Sequence, residues 1–92
     1  MKYVLLGTLS AEWAARHTER LTSAKAKAAE LGIAIESIYY TQGPYDFVTA
    51  VDAPSPEAIL TFSIWYASQG YGKISSMPAF DEAAMTAAVG KV

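Results

Sequence analysis

Cysteine is absent from the 92 residues, which removes disulfides, a thiolate nucleophile and thiolate metal sites together. Clustered positive charge is missing as well. Seven Lys and Arg against nine Asp and Glu give a net charge of −2, with no basic run, so the electrostatic footprint of a nucleic-acid binder is not present. No apolar run approaches the roughly eighteen residues of a membrane span. The opening run Val4–Leu6 is also far shorter than the apolar region of a signal peptide. A cytoplasmic protein is therefore expected, with neither nucleic acid nor membrane as partner. Histidine occurs once, at His17, without an HExxH spacing or a Ser-His-Asp order around it, so neither a metal nor another cofactor is expected. Gly70 and Gly72 precede a strand pattern and lack a phosphate-loop spacing, which argues against a nucleotide site.

What the chain has in excess is apolar surface: 52% of residues are hydrophobic and only 17% charged. A chain of this length forms one domain, residues 1–92, with a high ratio of surface to volume that favours burial against another subunit.

Tyr3 to Leu9 is apolar at both parities, the pattern of a strand covered on both faces. Ser10 then offers a helix cap before an Ala-rich segment in which Trp13, His17, Arg20 or Leu21, Ala24, Ala28 and Leu31 recur at helical spacing. Thr18 offers a second cap, with a break near His17, and Gly32 terminates the helix. Ile33 to Thr41 and Tyr45 to Asp52 read as two strands of a hairpin broken at Gln42-Gly43-Pro44, where Gly43 supplies positive φ and Pro44 fixes its own. Tyr45, Phe47, Thr49 and Val51 share one face of the second strand; Asp46, Val48, Ala50 and Asp52 share the other. Ser55-Pro56-Glu57 starts a second helix whose buried face runs through Ala58 or Ile59, Phe62, Trp65 or Tyr66 and Gln69. Lys73 to Met77 forms a last strand stopped by Pro78, and Asp81 caps a short C-terminal helix.

The order βαββαβ predicts an α+β, ferredoxin-like fold, with two helices on one face of a four-stranded antiparallel sheet. Two helices cover one face only. Apolar residues at both parities therefore predict that a second copy covers the other, so the partner expected is the chain itself, as a homodimer or higher oligomer. A small organic ligand is expected in the cavity between the facing sheets.

The run Gly43-Pro44-Tyr45-Asp46, the group Asp52-Ala53-Pro54, the pair Ala79-Phe80 and the pair Arg20-Leu21 together resemble the GYD domain family of small bacterial and archaeal proteins, over nearly the whole chain. The resemblance implies a ferredoxin-like domain of the dimeric α/β barrel type, without an established activity. Pro44 fills the family's variable slot, and Ser75-Ser76 stand where relatives often carry threonine.

Six residues are candidates for ligand contact: Tyr39, Tyr45, Asp46, Arg20, Ser75 and His17. Tyr39 and Tyr45 flank the hairpin turn and combine an apolar ring with a polar tip. Asp46 needs a partner if buried, and a structural pair with Arg20 or a hairpin-capping role is the economical reading. Arg20 can grip an anion in a two-pronged fork, and Arg16, one turn earlier, reads as solvated charge. Asp46 and Asp52, six strand residues apart at about 3.3 Å each, stand about 20 Å apart and form no acid–base pair; Asp52 is expected to cap the turn before Pro54. His17 reads as a helix-face residue near solvent, or as a proton acceptor at a cavity mouth. No catalytic residue is assigned. The reading this supports is a homo-oligomeric small-molecule-binding module. The alternatives are a cofactor-independent monooxygenase- or isomerase-like enzyme and a purely structural assembly protein.

Overall fold

The computed structural model describes residues Met1–Val92. Seven elements follow in order: β1 (Lys2–Leu9), α1 (His17–Glu30), β2 (Ala34–Tyr40), β3 (Phe47–Asp52), α2 (Pro56–Ser68), β4 (Gly72–Pro78) and α3 (Glu82–Val89). The four strands form one antiparallel sheet in the order β2-β3-β1-β4. This is the ferredoxin-like plan expected from the chain.

Strand alternation sorts the sheet into two faces. Tyr3 and Leu5 of β1 and Phe47, Thr49 and Val51 of β3 are all buried, and they face the helices together with Ala58, Ile59, Phe62 and Tyr66 of α2. The intervening residues Val4, Leu6, Val48 and Ala50 are only half-buried, because no element of the chain lies over them. Register fixes two cross-strand rows on this open face: Tyr39, Val48, Leu6 and Ser75, then Ser37, Ala50, Val4 and Met77. Gly7 is required on the helix side. The Phe47 ring lies so close over it that a Cβ there would stand 1.9 Å from the ring.

The first helix begins at His17 rather than at Ser10. The Ser10 backbone N–H donates to Tyr71 O at 2.8 Å and its hydroxyl to Gly70 O at 2.8 Å, so the residue ties β1 to the loop after α2 and is not free to cap. Ala11–Ala15 forms turns instead. They carry the Trp13 ring edge-on against Tyr71, centroids 4.5 Å apart, and Arg16 stacks over the same indole at 3.7 Å. Tertiary packing of one tryptophan has overridden helix propensity over one turn. At its other end α1 stops where Gly32 takes φ +74°.

The remaining local signals hold. Ser55 accepts from Ala58 N at 3.2 Å with Pro56 at the first helical position, and Asp81 accepts from Ala84 N at 2.8 Å. Gly43 takes φ +147° in the hairpin turn. The second hairpin strand starts at Phe47, two residues later than its apolar pattern suggests, because Tyr45 and Asp46 are drawn into the turn. The C-terminal α3 is different in kind: it packs against no other helix or strand and has no buried residue.

Candidate functional site

A mostly apolar, partly open cavity of about 60 Å³ lies between α1, α2 and the helix-facing side of the sheet. Leu5 and Phe47 form part of its floor, Ala24 and Ala28 of α1 one wall, and Ile38 of β2 another. The cavity is wide enough for several waters or a short organic molecule. Its polar groups are few: Arg20, Thr49 and the phenol ends of Tyr40 and Tyr66.

Arg20 is the unusual member. It is 4% exposed, yet no acidic side chain pairs with it. One guanidinium nitrogen donates to Trp13 O at 2.7 Å and another stands 3.3 Å from His17 Nδ1. Guanidinium can only donate, so Nδ1 is the acceptor and the proton of a neutral imidazole is on Nε2. Position 20 falls on the buried face of α1 because helical periodicity sets it one turn and two turns before Ala24 and Ala28. Burial pushes the Tyr66 phenol up to about 12, with the nearby Arg20 charge pulling in the opposite direction. Thr49 spends its hydroxyl proton on Ser37 O at 2.6 Å and offers only lone pairs to the cavity. At the rim, the exposed Tyr40 ring stacks edge-on with His17, centroids 5.0 Å apart.

The expected Asp46–Arg20 pair is not formed. Asp46 Oδ2 accepts from Leu9 N at 2.7 Å, its backbone N–H donates to Gly7 O at 2.7 Å, and its carbonyl accepts from Thr41 N at 2.9 Å. The carboxylate thus stands in for a missing backbone acceptor at the end of the β1–β3 ladder and latches the hairpin turn to β1. This is the capping alternative, and the reason is geometric. The turn carries Asp46 to the end of β1, where Leu9 N takes its carboxylate, whereas Phe47 beside it forms part of the floor of the Arg20 cavity. Asp52 also differs from expectation: it accepts from the Met1 amino group at 2.7 Å rather than capping the following turn, and that bond holds its carboxyl below the usual carboxylate range.

The six candidate residues therefore do not converge. Arg20 and His17 lie together on the helix side. Tyr39, 70% exposed, and Ser75 occupy opposite edges of one row on the open face, three strand spacings or about 14 Å apart. Tyr45, half-buried, sits in the turn, where its carbonyl accepts from the Thr41 hydroxyl at 2.6 Å. Tyr40, Thr49 and Tyr66 were not singled out by sequence, although each carries a signal. Tyr40 pairs in register with Phe47, and Tyr66 lies on the buried face of α2. No three His, Asp or Glu side chains stand together as a metal site would require. No helix is long and apolar enough to cross a membrane.

A βαββαβ sheet with helices on one face and an apolar second face defines a ferredoxin-like α+β domain. The family model of the GYD domain matches residues 3–89, and the chain belongs to that family. A search of curated proteins finds no match.

Proposed function

We propose that this protein is a homo-oligomeric small-molecule-binding module whose subunits join through the open face of the sheet, with ligand space between the facing sheets. The observation that carries this is the pairing of two unsatisfied surfaces in a single subunit. The first is the open face itself, where Val4, Leu6, Val48 and Ala50 stay half-exposed and Met77 and Tyr39 are exposed at the edges. The second is α3. Eight residues are too few to hold a helix in water on their own, and its Met85 and Val89, with Phe80 just before it, are all exposed. A second copy offers both surfaces a partner by one symmetry operation. Small side chains at Ser37, Ala50 and Ser75, set among larger ones, leave relief for a ligand between the two sheets.

Light scattering after gel filtration tests the assembly: a mass of twice 9.9 kDa or more is expected for the wild type and a monomer for Leu6→Asp. A wild-type monomer at high micromolar concentration would sink the reading. Mass spectrometry of co-purifying molecules tests the ligand. In the enzyme alternative His17 or Asp46 is the proton acceptor, but here His17 Nδ1 accepts from Arg20 and Asp46 Oδ2 accepts from Leu9 N.

A further inference from the structure

We propose that the helix-side cavity is a second binding site, separate from the inter-sheet space, and that it takes a short carboxylic acid with an apolar, branched tail, its carboxylate held by Arg20. Three observations carry this. A guanidinium 4% exposed, with no acidic partner, is a buried cation lacking its counter-charge. Left unpaired, such a group is costly; paired with a carboxylate in a two-pronged fork, it is at its strongest. Of its five N–H groups the chain occupies one with Trp13 O and one with His17 Nδ1, so donors remain for an anion. The Tyr66 phenol oxygen accepts from Arg20 and keeps its own proton to donate as a second contact, whereas Thr49 offers only lone pairs and does not compete for the acid.

The rest of the cavity sets the other half of the ligand. Beyond Arg20 the walls are Leu21, Ala24, Ala28, Ile35 and Ile38, which present methyl groups and no donors. A volume of about 60 Å³ admits a chain of a few carbons and not a ring system the size of a nucleoside. A phosphate monoester carries about −1.5 to −2 charges, against one cation here, and would leave charge uncompensated among methyl groups. The site thus selects one negative charge followed by a branched hydrocarbon. Tyr40 and His17 stand at its rim, where Tyr40 is exposed, and give the ligand its route.

The test is a heteronuclear NMR titration of the wild-type protein with isovalerate, against isovaleramide, isoamyl alcohol and inorganic phosphate. Isovalerate is expected to bind with shift changes concentrated at Leu21, Ala24, Ala28 and Ile35, leaving Val4, Leu6 and Val48 of the open face unmoved. The amide and alcohol should bind at least about tenfold more weakly, since one charge-assisted bond is worth more than 1.4 kcal/mol. Phosphate should give no shifts at these residues. Arg20→Lys should weaken isovalerate by about tenfold through loss of the fork, and Ala24→Leu, which fills the cavity and keeps Arg20, should abolish binding. Equal binding of acid and amide, shifts on the open face only, competition by phosphate, or no binding at about 10 mM would each overturn the proposal. Because the wild-type selectivity does not depend on any variant folding, it decides the matter alone.

Discussion

Leu5 and Leu6 are consecutive leucines on the same central strand, and the sheet treats them as opposites. Leu5 is 2% exposed beneath the helices, while Leu6 stays half-exposed on the face that nothing in the chain covers. The same division runs through every neighbour: Tyr3 against Val4, Phe47 against Val48, Val51 against Ala50. The helix side is a finished core with one anomaly, an unpaired arginine beside a cavity. The open side is unfinished, apolar but bare. An apolar residue therefore means two different things here, packing within the subunit or readiness to pack outside it, and strand parity alone decides which.

The leucine pair itself separates the two faces most strongly. Leu5→Ala is expected to lower unfolding free energy by about 2–5 kcal/mol at every protein concentration, the cost of a cavity in a closed core. Leu6→Ala should cost clearly less in dilute solution, and approach the Leu5 cost only at concentrations where a second copy covers the face. Denaturant unfolding across a concentration series reads both, and equal, concentration-independent losses would erase the distinction.

A smaller effect is expected at the edge where the faces meet. Asp46→Ala should cost about 1–3 kcal/mol, because Leu9 N loses its acceptor at the end of the ladder. Amide exchange at Leu9 should quicken while exchange within α2 does not. An unchanged melting temperature would show that the carboxylate is held there for another purpose.

The smallest effect belongs to the open-face ion pair between Lys2 and Glu36, 2.7 Å apart and about half exposed at each partner. In the isolated subunit Lys2→Ala should leave the melting temperature unchanged, as surface pairs commonly do. The Glu36 hydrogen bond, chiefly, holds the Lys2 ammonium above its ordinary value of 10.5. Any contribution from the pair is thus complete below that pH and lost as pH rises through the raised folded value. A measurable loss on Lys2→Ala under oligomeric conditions, and not under dilute ones, would place the pair at a subunit interface.

Much of the molecule was legible before its structure. Gly32, Ser55-Pro56, Asp81 and Gly43 announced their turns and caps correctly, since each acts through its own backbone or the next three residues. The βαββαβ order followed from spacing, and the even and odd sets of β3 came straight from period two. The candidate site was legible only in pieces. Of the two adjacent tyrosines of β2, the sequence pointed to Tyr39, whereas Tyr40 lines the cavity. A displacement of one residue reverses the face, and the bulge between Ile35 and Ser37 lies within that strand.

The elements, their order, their terminators and the apolar surplus that one subunit does not bury are all written in the amino-acid order. Those properties are local or additive, so neighbouring residues suffice to specify them. Folding in three dimensions was needed for Trp13 to keep the first helix from starting at Ser10, for Asp46 to cap a ladder instead of pairing with Arg20, and for Arg20 to be buried beside a cavity without a counter-charge. Each depends on which residues distant in sequence arrive together, Trp13 with Tyr71, Asp46 with Leu9, Arg20 with Tyr66. No spacing within a single segment encodes those meetings.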